Sequence, residues 1–352
     1  MVLTLMACGG GASGVTAGKK IALLVPGTAT ARYDTKDKPY FEAKLGQLCS
    51  DCQVVYSQAN QDAAQQSQAK TAITEGASVI VLDAVDAAAA APIVTMAKAA
   101  HIPVISYDTL ILNTADLNYY VSFDDATVGT LQGTTLLKAM GSKTKPTIVE
   151  INGDPGDVKA ELFKQGAHSV LDGKVNFGKE SSTPGWLASN AEAEMQQALT
   201  APNHQVDGVL AANDAIAGGA ITAMENAGLK PLPPVTGQAA DLAAIQRIVT
   251  GDQYMTVYEP ILAEAEAAAQ LAYDLAFGVA VPASATNGKT VNNGAADIPA
   301  VLVSPVAVTR ANIESTVVAD GFWTAADICT PTAIASPSRV SLPLACAAAG
   351  IS

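Results

Sequence analysis

The chain has 352 residues, with 33 acidic side chains against 20 basic ones and a net charge of −13 at neutral pH. Hydrophobic residues make up 49% of it, charged ones only 15% and aromatics 5%, which excludes a disordered chain. The acidic balance argues against nucleic acid or an anionic membrane surface as the main partner, because both need clustered Lys and Arg. Length suits two domains, each large enough to bury its own core. No apolar run of transmembrane length stands out.

The chain opens on Leu5-Met6-Ala7-Cys8 and then a Gly-rich stretch. An apolar run, a small residue, a Cys and a flexible tether, in that order, read as a bacterial lipobox with Cys8 as the lipidated residue. Residues 1–18 are therefore expected to be a signal remnant and tether, and the membrane is met only through that lipid anchor. Gly9, Gly11 and Gly14 match a dinucleotide fingerprint by letter, but they precede the first strand instead of following one.

Apolar runs at 21–25, 53–56, 78–82 and 103–106 predict a first series of buried parallel strands. Between them lie a helix over 62–75, stopped by Gly76, and an Ala-rich helix with Asp86 as its N-cap. A second series follows at 147–151, 175–177, 208–211 and 234–236, and in both series the strand starts recur every 25 to 33 residues or so. The expected fold class is α/β, with two doubly wound parallel-sheet lobes. Strands at 255–258 and 301–304, with a helix over 261–277 between them, would carry the chain between lobes as a multi-strand hinge. The expected lobes are 19–123 with 259–300, and 124–258 with 301–352, the latter ending in a Cys-containing tail. Two such sheets facing each other would form a cleft that closes on a ligand.

Apart from Cys8 there are four cysteines, Cys49, Cys52, Cys329 and Cys346, which allow three pairings. Two local structural disulfides, 49–52 and 329–346, are favoured for an exported protein. A redox motif at Cys49–Cys52 lacks the surrounding sequence, and a zinc site lacks the second metal-ligand spacing.

The residues just beyond the strands form the candidate site. They are Arg32 and Tyr33 after the first strand, Tyr107, Asp108 and Thr109 after the fourth, and Asn152, Asp154, Asp157, Asn213, Asp214 and Gln238 in the second half. Trp186 in a loop and Glu259 beyond the strand at 255–258 join them. Carboxylates and amides suit vicinal hydroxyls, and an aromatic face covers the C–H face of a sugar ring. The same Asp and Asn residues, taken singly, read as helix N-caps. His101, His168 and His204 lie outside this set and are expected in surface or packing roles. No nucleophile–base pair, cofactor motif or metal site is expected.

Several long stretches carry a resemblance: Ile105-Ser-Tyr-Asp108, Asn118-Tyr-Tyr-Val-Ser-Phe-Asp124, Gly185-Trp-Leu187, Ala212-Asn-Asp-Ala-Ile-Ala-Gly-Gly-Ala220, Thr236-Gly-Gln238, Met255-Thr-Val-Tyr258 and Asp320-Gly-Phe322. From Lys20 to about Phe322 the chain resembles the periplasmic pentose- and hexose-binding proteins of ABC importers, above all the xylose-binding branch. The resemblance implies a type I periplasmic binding protein fold, a venus-flytrap that delivers a sugar to a membrane permease. It places Arg32, Asp108, Trp186 and Asn213 at sugar-contact positions, with Asp214 beside them. The chain also departs from the xylose-binding pattern: Thr109 stands where that pattern has Arg, Ala239 where it has Asp, Glu259 where it has Lys, and Val158-Lys159 where it has an Asn pair. Lost donors of that kind cost about 1–3 kcal/mol each for a pyranose.

The expectation is therefore a ligand other than xylose: a small neutral sugar or sugar alcohol, bound without catalysis by a monomer. Lys159 returns one cation. The alternatives are a chemoreceptor- or autoinducer-linked binder using the same cleft, and a binder of a cationic amino sugar. A ligand-sensing transcription regulator would need a basic N-terminal helix-turn-helix, and a Gly-rich tether stands there instead.

Overall fold

The computed structural model describes residues 18–27, 32–201, 205–331 and 341–351. Cys8 with its tether, and His204, lie outside the described residues. The first apolar run forms β1 (Lys20–Pro26), buried from Ile21 to Val25. A π-helical turn over Tyr33–Asp37 leads into α1 (Lys38–Leu48), and then β2 (Gln53–Ala59), α2 (Asp62–Thr74), β3 (Val79–Leu82), α3 (Ala91–Ala99) and β4 (Val104–Tyr107) alternate. Next come β5 (Tyr119–Phe123), α4 (Asp125–Met140), β6 (Thr147–Asn152), α5 (Val158–Leu171), β7 (Asn176–Ser182) and α6 (Ala188–Thr200). β8 (Gly208–Ala211), α7 (Asp214–Asn226), α8 (Leu242–Thr250), β9 (Met255–Tyr258) and α9 (Ile261–Phe277) follow. The last elements are β10 (Thr290–Asn292), β11 (Asp297–Val303), β12 (Val306–Thr309), α10 (Ala325–Cys329) and α11 (Leu342–Ala349).

Two compact units divide the chain, unit 1 taking residues 1–120 with 265–300 and unit 2 taking 121–264 with 301–352. The chain passes from one unit to the other within β5, α9 and β11. Unit 1 is built on a seven-stranded sheet of order β10-β11-β5-β4-β3-β1-β2. β1 pairs in parallel with β2 and β3, and β3 with β4, while β10 and β11 are antiparallel. β3 is buried at every residue, as a parallel strand covered on both faces must be. Gln65 on α2 reaches the end of that strand, its Nε2 donating to Asp83 O at 2.7 Å and its Oε1 accepting from Val85 N at 3.0 Å.

Unit 2 has the parallel sheet β7-β6-β8, with the antiparallel pair β12-β9 beside it in sequence. Side chains alternate across that sheet. Val149, Ile151, Val209 and Ala211 pack with α6 and α7, while Ile148 and Leu210 pack with Leu136, Met140 and Leu171 from α4 and α5. The α4–α5 crossing depends on glycine. A Cβ on Gly166 would lie 2.0 Å from Ala126 O, and one on Gly129 would lie 1.8 Å from Phe163 O. The C-terminal segment packs on α8, where the buried Gln246 amide donates to the carbonyls of Asp327, Ile328 and Thr330. Cys329 and Cys346 are bonded within that segment, and Cys49 and Cys52 close the turn between α1 and β2.

Some elements differ from the sequence expectation. The strand at 234–236 is reduced to one parallel bridge, Val209 to Val235, because Pro233 and Pro234 lack the N–H groups a ladder needs. The strand at 301–304 is the end of β11, which stops at Val303. β5 escaped notice because its Tyr and Ser break the unbroken apolar run that marks its neighbours, and β10 because it is largely exposed and polar. Asp86 caps a turn before α3, its Oδ1 accepting from Ala88 N and Ala89 N at 2.8 Å each.

Gly166→Ala should destabilise the protein by about 1–3 kcal/mol, because the new methyl forces α4 and α5 apart. Urea unfolding checks this, and an unchanged midpoint would show that the crossing has slack.

Candidate functional site

In a parallel sheet, neighbouring strands deliver their following loops to one edge. The order β4-β3-β1 in unit 1 therefore places the loops after β1, β3 and β4 side by side. Arg32 anchors this edge. Its Nε and Nη2 donate to Asp37 Oδ2 and Oδ1 at 3.1 and 3.0 Å, and its Nη1 donates to Asp108 Oδ2 at 2.8 Å. A guanidinium forked onto one carboxylate and bridged to a second holds both in place. Tyr107 supports the same cluster by donating its hydroxyl to Asp37 Oδ1 at 2.6 Å, and Tyr120 donates to Asp108 O at 3.0 Å. Asp108 itself has φ +56°, an unfavourable region for a side-chain-bearing residue. The tight turn that holds it there is closed by Thr109 N donating to Tyr107 O at 2.6 Å. Tyr33 is buried and donates its hydroxyl to Asp83 Oδ2 at 2.6 Å. Burial and the nearby Asp83 and Asp108 charges push the Tyr33 hydroxyl far up, so it acts as a neutral donor.

In unit 2 the loops after β6 and β7 are tied together by two carboxylates. Asp154 accepts from Gly156 N at 2.8 Å and from Gly185 N at 2.6 Å, and those two bonds hold its carboxyl below the usual range. Asp157 is the N-cap of α5, accepting from Lys159 N at 2.8 Å, and its other oxygen accepts from Trp186 Nε1 at 3.2 Å. Trp186 is thereby fixed at its polar edge. Its six-membered ring lies on Gly153, where a Cβ would come within 2.1 Å of it, and Phe163 meets it edge-on with ring centroids 6.4 Å apart. Trp186 also packs against the core that contains Ala212 and Ile216, on either side of Asn213 in sequence. Asn213 caps α7 by accepting from Ile216 N at 2.9 Å, and stays half-buried. Gln238, Glu259 and Lys159 are half-buried too.

Asp214 is a correction to the expected set of ligand acceptors. It is 1% exposed, and its Oδ1 accepts from Gln253 Nε2 at 2.8 Å. Its Oδ2 accepts from Thr256 Oγ1 at 2.9 Å and Asp241 N at 3.0 Å. Both oxygens are spent inside unit 2. Its own N donates to Gln238 O at 2.9 Å, so it positions Gln238. Two groups escaped the sequence reading: Asp37 and Asp83. Asp83 gave a signal, standing directly after β3 like the strand-end residues that were found. Asp37 gave none, because its role depends on the geometry of the π-helical turn.

His168 packs away from this set, between Glu150 at 3.1 Å and Asp172 at 2.8 Å, and stacks on Phe177. His101 lies exposed at the turn that follows α3. Among the described residues no helix is long and apolar enough to cross a membrane, and no group of His, Cys, Asp or Glu could hold a metal ion.

Burial raises the carboxyls of Asp83, Glu150, Glu194, Asp214 and Asp241 above their ordinary values. Burial lowers the His168 imidazole, but Glu150 and Asp172 outweigh it and the net shift is upward. All six groups bind protons more tightly in the folded chain than in the unfolded one. Their contribution is therefore present at low pH and lost as pH rises through the folded values. Asp154 and Asp207 are lowered and act in the opposite sense, only below the ordinary carboxylate range. The melting temperature should accordingly peak near pH 4 or so and fall from there to about pH 8. A melting temperature that rises across that window would overturn this assignment.

Residues 21–279 match the family model described as a periplasmic binding protein domain. Over 310 residues the chain is 38% identical to the D-xylose-binding periplasmic protein of Haemophilus influenzae, covering 87% of this chain and 90% of the relative. The D-xylose-binding periplasmic protein of Escherichia coli is 37% identical over 308 residues, with coverage of 86% and 90%. Among solved structures, an ABC transporter solute-binding protein from Clostridium phytofermentans with bound β-D-glucose matches with a TM-score of 0.74 at 27% identity, over 88% of this chain and all (100%) of that one. A carbohydrate transporter solute-binding protein from Chloroflexus aurantiacus, in complex with D-glucose, matches with a TM-score of 0.73 at 28% identity, over 88% and 98%. With the matched region spanning most of its length, this chain belongs to the periplasmic binding protein domain family.

Proposed function

We propose that the protein captures a small neutral sugar or sugar alcohol outside the cytoplasm and delivers it to an ABC-type permease, with no chemistry on the ligand. The residues assigned to capture are Arg32, Tyr33, Asp108 and Thr109 in unit 1, and Asp157, Lys159, Trp186, Asn213, Gln238 and Glu259 in unit 2. The observation that carries this reading is the state of Arg32: its guanidinium already serves Asp37 and Asp108. It is a scaffold for carboxylate acceptors rather than a receptor for phosphate or carboxylate. Trp186, fixed by Asp157 and Phe163, supplies an aromatic surface suited to a sugar ring. The relatives named for D-xylose and the structures holding D-glucose support the same ligand class. Thr109 and Glu259, in place of the cationic residues of the xylose-binding pattern, favour a ligand other than xylose. Anchoring through a lipid on Cys8 belongs to this proposal and is tested by loss of membrane association in Cys8→Ser.

A thermal-shift panel of aldoses, pentitols, hexitols, amino sugars and sugar phosphates tests the ligand class. A ligand at about 100 times its Kd adds about 2.7 kcal/mol, enough to move the transition by several degrees. At least one neutral sugar or polyol should do so, and a response only to phosphorylated, carboxylated or amino compounds would refute the reading. For that ligand, Trp186→Ala should weaken binding by about 2–4 kcal/mol in calorimetry while the protein stays folded. Wild-type affinity in the folded variant would remove Trp186 from the site.

A further inference from the structure

Asp83 stands one residue beyond β3, and in the sheet β3 lies between β1, which leads to Tyr33, and β4, which leads to Asp108 and Thr109. It is fully buried, at 0% exposure. Its Oδ2 accepts from the Tyr33 hydroxyl at 2.6 Å, while its buried Oδ1 has no hydrogen-bond partner. The backbone of Asp83 is fixed without its side chain: N donates to Leu24 O at 2.9 Å, and O accepts from Gln65 Nε2 at 2.7 Å. The carboxyl is therefore not needed to end the strand. A buried carboxylate oxygen with no donor is unfavourable, and Asp83 also has a second negative charge close by on Asp108. The groups facing it are Tyr33, whose hydroxyl bond favours its charged form, Thr109, whose nearby side chain also favours it, Asp108, which opposes it, and Arg32, which favours it but is shared between Asp37 and Asp108.

We propose that Asp83 is a proton-holding positioning residue of the unit 1 ligand face: it is protonated when ligand is bound, keeping Tyr33 and the Asp108–Thr109 turn in place, so that binding takes up a proton. This rests on the sugar-capture reading above. A proton on the unpartnered Oδ1 converts that oxygen to a neutral hydroxyl and removes the charge that repels Asp108. Asp108 then keeps its own charge, secured by Arg32, as an acceptor for ligand hydroxyls. A bound polyol excludes water from this edge, which further disfavours a second charge. Burial and the Asp108 charge already push the Asp83 carboxyl up to about 7, so the uptake falls in the neutral range.

The test uses the intact protein with D-glucose and D-xylose as probes. Wild-type affinity should fall several-fold between pH 6 and pH 8.5 or so, and calorimetry at neutral pH in phosphate and in Tris should show net proton uptake. Asp83→Asn mimics the neutral carboxyl and should bind with a flat pH profile and no uptake. A pH-independent wild type, or a variant that keeps the slope, overturns the proposal. The wild-type uptake needs no variant, so a poorly folding Asp83→Asn does not remove the test. In the sugar-free protein, the protonated-carboxyl infrared band should titrate near neutral pH in the wild-type minus Asp83→Asn difference, which cancels Asp214. If neither these probes nor any member of the sugar panel binds, the function reading falls. The assignment of a proton to Asp83 then stands or falls on that band.

Discussion

A buried parallel strand carries its backbone and the residue after it to the edge of a dry core, and every polar group arriving there needs a partner. Both units meet this demand with the same device, a glutamine amide on a helix. In unit 1 Gln65 serves the backbone of Asp83 and Val85. In unit 2 the buried Gln132 donates its Nε2 to Ala211 O at 3.2 Å and to Ala212 O and Gly237 O at 3.0 Å each. One amide thus pins the ends of the segments that present Asn213 and Gln238. With the loop backbones satisfied from below, their side chains are released for other work. The strand-end geometry follows from these amides more than from any contact a ligand would make.

Two arginines then divide the labour. Arg247 is an internal strut: its Nη2 donates to Asp214 O at 2.9 Å and its Nε to Gln253 Oε1 at 3.0 Å. Gln253 passes the connection on to Asp214 Oδ1, so the network is closed and every oxygen of Asp214 is used. A fully satisfied buried network rigidifies the loops it joins. Arg32 is only partly buried and joins two carboxylates, Asp37 and Asp108, from the segments after β1 and β4. The Asp214 cluster lies beneath residues of the proposed site, and the Arg32 cluster is itself part of it.

The sequence made the alternating strands legible because a strand buried on both faces has nowhere to hide a polar residue, as in Val79–Leu82. It also made Asp108 and Asn213 legible, since one directly follows β4 and the other caps α7, while Trp186 stood out as an aromatic in a loop. What it could not separate was one aspartate from its neighbour. Asn213 and Asp214 are adjacent at a helix start, yet one caps α7 at its rim and the other is locked inside. That difference comes from Thr256 and Gln253, about forty residues further along the chain, and no local pattern encodes it. The short edge strand β10 was hidden for the opposite reason, since little burial leaves little periodicity.

Charge balance joins the two readings of the unit 1 edge. Asp37, Asp83 and Asp108 are all buried there, with Arg32 as the cation that pairs two of them. One guanidinium can offset a pair of carboxylates only in part, so a third negative charge in the same dry space is the unfavourable one. Thr109 supplies no second cation, although the xylose-binding pattern has an arginine at that position. An edge already burdened with negative charge repels phosphates and carboxylates, and it offers hydroxyl-bearing ligands a row of acceptors. The same loss of a cation on which the proposed preference against xylose rests also underlies the proposed protonation of Asp83. Restoring the cation with Thr109→Arg would give Asp83 a partner, and the two features would be expected to disappear together.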